Sequence, residues 1–450
     1  MILTLKLSIS GARGIVGESL TPDVLESVLR AYANFVSKGK ILLGRDTRPS
    51  GEAIKNFVAG YLMLTGFDVV DCGLLPTPTL ALCVKHSEAC GGIAITASHN
   101  PPEWNALKLF DSNGLYLPME FWSGISEHGD KVEFADYEHV GKLARCEDCV
   151  EKHIEKVLGL PYVDVDAIRA REFFVAYDGV GGVAPKAVLE LLSRFGARVV
   201  AVGTAMEGVF LHDQEPKPEN LSQLSELVRI VGADIGFATD PDGDRLTLVD
   251  EKGVPLSEEL TLVLAAWQFL ENERSDIVVN LSTSTLLDWL SGKFGVRVHR
   301  APVGEFWVSK KMLELGAKIG GEGNGGVIVL DVHPVRDSLT AVALVLSLLA
   351  RTGKRLSEIV SSLPRMFMVK SKVNFSGDFK RVSDEIVNRF PHKTENFDDG
   401  VWLGLEHGFL HVRQSNTEPV VRIIAESTEE SEAERIVFEA KKIVEKHSRS

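Results

Sequence analysis

The chain has 450 residues, with 49 Lys and Arg against 63 Asp and Glu, giving a formal net charge of −14. At about 150 residues per domain this length predicts three or four domains. The acidic balance excludes a general nucleic-acid binder, which needs a net basic face to displace counterions. No apolar run reaches the roughly 18 residues of a membrane span. Residues 1–10 lack the charged start, long apolar centre and small-residue cleavage site of a secretory signal. Neither nucleic acid nor membrane is therefore expected as a partner. Five cysteines (Cys72, Cys83, Cys90, Cys146 and Cys149) are an odd number spread along a long chain. That argues against a disulfide framework and for a reducing cytoplasm.

In chain order, strand-like apolar runs alternate with helix-length amphipathic segments. Strands are predicted at 40–44, 68–73 and 93–97, with a helix over 51–65. The rhythm restarts with a strand at 173–178, a helix over 185–195 and strands at 199–202 and 235–238. It restarts again with a strand at 277–280, a helix over 285–294 and a strand at 296–299; 260–270 and 340–350 read as buried helices. Such alternation predicts βαβ units with mostly parallel sheets. The last stretch differs: strands at 367–375, 400–412 and 420–427 stand beside helices over 377–390 and 429–446, a smaller α+β unit. The fold class expected is α/β in four domains, three similar mixed α/β units and a C-terminal α+β unit, at 1–150, 151–255, 256–365 and 366–450.

Four loops carry chemistry. Thr96-Ala97-Ser98-His99-Asn100-Pro101-Pro102 follows a strand, and its double proline describes a rigid turn that holds the Ser98 hydroxyl at a sheet edge. A serine serves as nucleophile or phosphate carrier only when it is fixed beside a proton acceptor. Asp240-Pro241-Asp242-Gly243-Asp244-Arg245 places three carboxylates at alternate positions around a glycine turn. Unpaired they would repel one another; converging, they suit a hard cation such as Mg²⁺. A calcium-binding hand needs a 12-residue loop ending in Glu between helices, which residues 245–248 do not supply. Gly320-Gly321-Glu322-Gly323-Asn324-Gly325-Gly326 allows close approach of backbone to a ligand, with Glu322 and Asn324 able to bind sugar hydroxyls. Arg413-Gln414-Ser415-Asn416-Thr417-Glu418-Pro419, followed by Arg422, offers the forked donors and hydroxyls that suit a phosphate dianion. One further run, Cys146-Glu147-Asp148-Cys149, has metal-knuckle spacing, but no second Cys or His pair follows it, and it reads as surface thiols.

Together the four loops resemble, in order and one per domain, those of the α-D-phosphohexomutase family, which includes phosphomannomutase/phosphoglucomutase and phosphoglucosamine mutase. The resemblance spans essentially the whole chain and implies four domains around a deep cleft. It implies a hexose phosphate as substrate, Ser98 as a phosphoserine, and Mg²⁺ held by Ser98, Asp240, Asp242 and Asp244. It implies catalytic roles for Arg13, His99, Lys108 and Arg245 around the transferred group, and sugar binding by Glu322, Gly323 and Asn324. Arg413, Ser415, Asn416, Thr417 and Arg422 would hold the phosphate that is not reacting. A hexose 1,6-bisphosphate is the implied intermediate and activator. Arg45 and Arg48 either shape the same pocket or stand as salt-bridged surface arginines. The chain departs from the family pattern at Gly326, where many members carry His, at Pro302, where a lysine often stands, and in Asn105-Ala106-Leu107-Lys108. His333 and Arg300 are the neighbours able to substitute. The glycine loop and Ala301-Pro302-Val303-Gly304-Glu305 look more similar to archaeal-type phosphoglucosamine mutases than to phosphomannomutases, which ranks glucosamine phosphate before mannose or glucose phosphate. A non-catalytic sugar-phosphate binder and a metal-dependent phosphatase are the competing classes. A monomer or homodimer is expected.

Overall fold

The structure is a computed structural model that describes residues 4–125, 131–415 and 419–448. Four sheets follow one another along the chain. The first runs in the order Lys6–Ser8, Gly11–Ile15, Trp104–Asp111, Ala89–Ile95, Lys40–Arg45, Asp68–Leu74, Leu143–Arg145. Its centre is parallel, with Lys40–Arg45 between Asp68–Leu74 and Ala89–Ile95, whereas Trp104–Asp111 and the N-terminal hairpin add antiparallel strands.

The second and third sheets have four strands each and share one plan. Three parallel strands carry a fourth, antiparallel one at an edge: Leu246–Val249 on Ile235–Thr239, and Gly326–Val329 on Ile319–Glu322. These two sheets are mostly parallel, as expected, and each gains one antiparallel edge strand, as does the centre of the first sheet; the cause is loop length. Residues 96–103, 240–245 and 323–325 are too short for the crossover that a parallel return requires, so each next strand comes back antiparallel. These links are the first three of the loops singled out in the sequence, so each is pinned at both ends by sheet hydrogen bonds.

The helix Ser338–Thr352 is buried along its first twelve residues and packs on Glu259–Leu270 and Val165–Arg171, as its charge-free run demands. One apolar core runs continuously through the first three units, from Leu42 to Leu363. The last unit has its own core, between its antiparallel sheet and the helices Phe379–Arg389 and Glu430–His447. The strand expected over 400–412 is a hairpin, Val401–Leu405 and Gly408–Gln414, reversed at Glu406-His407 with Gly408 at φ 133°. The N-terminal hairpin and the helix Pro22–Phe35 are further elements outside the sequence expectations.

The last unit docks on the third through polar contacts. His411 lies between the Ser282 hydroxyl and the Asp399 carbonyl, and Thr285 donates twice to Glu426. The Lys370 ammonium reaches Glu258 at 3.0 Å.

Candidate active site

Ser98 has φ 50°, a left-handed conformation that costs a serine of order 1–3 kcal/mol and needs support. Thr96 Oγ1 accepts from the Ser98 N–H at 3.0 Å. Arg48, fully buried, donates to the carbonyls of Ser98 and Asn100, both at 2.6 Å, and of Pro101 at 2.7 Å. Asp46 holds Arg48 at 3.0 Å and takes the Thr96 hydroxyl at 2.6 Å. Arg48 thus shapes the loop from beneath. Arg45 instead turns to Glu52 at 2.9 Å, away from the loop. Arg13 donates to Asn100 Oδ1 at 2.6 Å and braces the same turn from the N-terminal hairpin.

So supported, the Ser98 hydroxyl donates to Asp240 Oδ2 across the unit boundary at 2.7 Å. Gly243, at φ 72°, turns the second loop so that Asp240, Asp242 and Asp244 bring oxygens within 4.8 Å of one another, all buried. Asp240 Oδ1 accepts the N–H groups of Asp244 and Arg245. Asp242 Oδ2 accepts the Lys108 ammonium at 2.6 Å and the Thr77 hydroxyl at 2.8 Å, which locks the first unit to the second. Asp244 Oδ2 accepts Arg336 at 2.6 Å. One oxygen each of Asp242 and Asp244 is buried without a hydrogen-bond partner. An all-oxygen donor set with unpartnered carboxylate oxygens fits a hard divalent cation.

Burial, and then the charges of Asp244 and Asp242, push the Asp240 carboxyl well above its ordinary range. Burial acts the same way on Asp242, but the Lys108 ammonium together with the hydrogen bonds to that carboxylate, Thr77's among them, outweighs it and holds the group well below. Burial also opposes the Lys108 charge, and Asp242 and Asp244 more than restore it. His99 is pushed well down by burial and by the cations Arg245 and Arg13, so it is a neutral imidazole. Its Nδ1 lies 3.4 Å from Ser98 Oγ. Arg245 pairs with Glu215 at 3.0 Å and stands 3.7 Å from Asp244.

The glycine loop meets this cluster through Arg336. That guanidinium binds Asp244, Glu322 at 2.8 Å and Glu305 at 3.2 Å, all buried. Glu322 also accepts from Asn280 at 2.8 Å and the Gly304 N–H at 3.1 Å. A Cβ on Gly323 would fall 1.9 Å from Glu259 Oε2, and burial pushes that glutamate up to about 8. The Asn324 carbonyl oxygen is buried without a partner. The residues named as substitutes, His333 for Gly326 and Arg300 for Pro302, each have other partners here. His333 is buried against His153 and Asp337, and burial pushes it down to about 4. Arg300 binds Asp288 at 2.5 Å and lies over the Trp402 ring. Arg336, Asn280 and Glu259 carried no role in the sequence reading, and Glu305 entered it only within the run 301–305. The signal that could have found Arg336 is its place beside Asp337, which caps the helix Ser338–Thr352.

Of the phosphate loop, Asn416 and Thr417 lie outside the described residues. Arg413 is held by Asp399 at 2.7 Å and faces Arg422 across two strands, and Arg422 in turn faces Lys372 on Phe367–Asn374. Cross-strand partners share a sheet face, so three cations stand in a row beside Ser415. Like charges directly opposed destabilise a sheet unless an anion lies among them.

Family models for phosphoglucomutase/phosphomannomutase match all four parts of the chain: alpha/beta/alpha domain I over residues 5–136, domain II over 151–253, domain III over 257–367 and the C-terminal domain over 381–442. A protein of Thermococcus kodakarensis named "Phosphoglucomutase/phosphomannomutase" is 36% identical, over 94% of each chain. One of Methanopyrus kandleri named "Probable phosphoglucosamine mutase" is 34% identical, over 95% of each. A solved phosphoglucomutase/phosphomannomutase family protein of Burkholderia thailandensis superposes with a TM-score of 0.86 at 26% identity, covering 100% of this chain and 98% of that one. Among the described residues no helix is long and apolar enough to cross a membrane. The chain belongs to the phosphoglucomutase/phosphomannomutase family, whose members are phosphohexomutases, a class of isomerase.

Proposed function

We propose, starting from that membership, that the chain interconverts hexose 1-phosphates and hexose 6-phosphates by carrying a phosphoryl group on Ser98. The observation that carries this reading is the Ser98 hydroxyl, held in a strained turn and aimed 2.7 Å from Asp240 in a buried carboxylate cluster. Phosphoryl transfer asks for positioning and neutralisation of charge, and little else. Asp240, Asp242, Asp244 and the Ser98 phosphate would hold Mg²⁺, which supplies part of that neutralisation.

The chain's own residues supply the rest. Lys108, kept charged by Asp242, and Arg245 face the transferred group, while Arg13 and Arg48 keep the turn in place. The phosphorus–oxygen bond to Ser98 breaks as one forms to a sugar hydroxyl, yielding the hexose 1,6-bisphosphate. The hydroxyl proton passes to Ser98 Oγ, with the neutral His99 imidazole as the group placed to relay it. After the bisphosphate turns over, the other phosphate returns to Ser98. Glu322 and Asn324 hold ring hydroxyls. Arg413, Ser415 and Arg422, with Asn416 and Thr417, hold the idle phosphate, and Lys372 extends that cationic row. Each of the four units, taken at 1–150, 151–255, 256–365 and 366–450, then contributes one loop. The polar docking of the last unit and its separate core suit closure over bound sugar, which keeps water from the phosphoserine.

Glucosamine phosphate is the leading substrate. It rests on the likeness of the glycine loop to those of phosphoglucosamine mutases and on relatives bearing that name. The relative named for glucose and mannose phosphates makes those the alternatives. The test is ³¹P NMR of the purified protein with Mg²⁺, a trace of hexose 1,6-bisphosphate, and glucosamine, mannose or glucose 1-phosphate in separate samples. Conversion to the 6-phosphate without free phosphate is the expected result, and its rates rank the sugars. Release of inorganic phosphate would instead indicate a phosphatase. No turnover, with Ser98 unphosphorylated by mass spectrometry, would indicate a binding protein.

A further inference from the structure

Three of the five cysteines meet in space, and a fourth stands on the adjoining helix. Cys72 lies on the strand Asp68–Leu74, Cys83 on the helix Thr77–Lys85, and Cys149 opens the helix Cys149–Leu158, with Cys146 on the segment leading into it. The Cys146 and Cys149 sulfurs are 3.5 Å apart, and those of Cys72, Cys146 and Cys149 all lie within 4.8 Å of one another. The Cys72 thiol donates to the Val70 carbonyl at 3.7 Å, and Cys83 is buried in the same apolar core as Cys149 and lines one cavity with Cys146. The sequence reading left the Cys146–Cys149 knuckle without a second pair because none follows it; its partners precede it, one on a strand and one on a helix.

We propose that Cys72, Cys83, Cys146 and Cys149 form a tetrathiolate site for one zinc ion. Tetrahedral zinc with bonds of about 2.3 Å places its sulfurs roughly 3.8 Å apart, a spacing that the sulfurs of Cys72, Cys146 and Cys149 already approach, with Cys83 on the adjoining helix to close the set. Soft sulfur ligands, closed on all four sides, select zinc over the hard cations that suit the aspartates. A Cys146–Cys149 disulfide would leave the convergence of Cys72 on the same point without a purpose. Cys90 sets the contrast: its thiol donates to the Lys40 carbonyl, outside the cluster. In the metal-free arrangement Cys146 donates to Asp148 at 3.0 Å, and metal binding releases that proton and the other thiol protons to solvent. Lys152, whose ammonium feels both Cys83 and Cys146, offsets part of the site's negative charge.

The role is structural. The ion would staple the sheet and one helix of the first unit to the helix that opens the second. Cys83 lies six residues, about 9 Å of helix rise, from Thr77, which hydrogen-bonds Asp242. The staple therefore stiffens the helix that joins the two units at the reactive loops.

The test is metal analysis of the full chain purified without chelator. We expect about one zinc per chain, released by an organomercurial. Cys83→Ser and Cys149→Ser should lose it, and Cys90→Ser should keep it. Where those variants fail to fold, cobalt refilling of the stripped native chain decides. A sulfur-to-cobalt charge-transfer band with intense tetrahedral visible bands supports the site, and cobalt on the aspartates gives no such band. Absence of that band, or a metal content unchanged in Cys83→Ser and Cys149→Ser, overturns the proposal. So does a Cys146–Cys149 disulfide found in the metal-free, freshly purified chain.

Discussion

Gly326 and Arg336 are fitted to each other: a Cβ on Gly326 would stand 2.0 Å from Arg336 Cδ. The position where many relatives of this type carry histidine has here no side chain, and the guanidinium fills the space beside it. Arg336 there binds Asp244 of the second unit and Glu322 and Glu305 of the third. The departure at Gly326 is therefore the condition for a buried cation that joins the acidic loop to the glycine loop.

Gly326→Ala should cost about 1–3 kcal/mol through overpacking against a guanidinium that three carboxylates hold in place. Arg336→Ala should cost more, about 3–5 kcal/mol, because it strands buried carboxylates. Urea unfolding measures both. With Arg336→Ala, kcat/KM should fall as Glu322 and Asp244 lose their common partner. An Arg336→Ala protein as stable as the native one would show that the three carboxylates do not depend on it.

Arg48 holds the carbonyls of Ser98, Asn100 and Pro101 in the Ser98 turn with one planar fork. Arg48→Lys keeps the charge and loses the fork. The expected result is a kcat about 100-fold lower with KM little changed, because a misplaced reacting atom is punished in the transition state. Steady-state kinetics and the fraction of Ser98 phosphorylated, read by intact mass, check it together.

Lys372 stands in register with Arg422 and through it with Arg413. If the row holds the idle phosphate, Lys372→Ala should raise KM about tenfold and leave kcat near native, and Lys372→Arg should restore KM. The native KM should also rise more steeply with salt than that of Lys372→Ala, since screening weakens an exposed cation's pull on phosphate.

His411 joins the last unit to the third, and burial pushes its imidazole down to about 4. In the unfolded chain it titrates near 6.5. Between those values the unfolded state binds the proton and the folded state does not. Stability is thus full above pH 6.5 and falls as pH drops toward 4, by up to ~3 kcal/mol at about 1.4 kcal/mol per unit. Urea unfolding at pH 7.5 and 5.0 should show a smaller loss in His411→Gln than in the native chain. Equal losses would place the acid sensitivity elsewhere.

The sequence by itself determined what is local. Strand and helix rhythm follows from side-chain periodicity over a few residues, and each reactive loop announces its chemistry because its residue types sit within seven positions. The helices 51–65 and 185–195 and the strand 235–238 could be read this way, as could the three aspartates, whose mutual repulsion already implied a cation. What depends on distant pairing could not be read. Arg48 and Arg45 are three residues apart and indistinguishable by type, yet backbone geometry sends one under Ser98 and the other to Glu52. Arg336 meets Asp244 across 92 positions, and Ser98 meets Asp240 across 142. Lys372 joins the cationic row only through strand register, and Cys72, Cys146 and Cys149 converge only once a strand of the first unit and the helix that opens the second have packed. Pairing at such separations is decided by burial of a shared core, to which residues of three units contribute at once. No short window of the sequence carries that information.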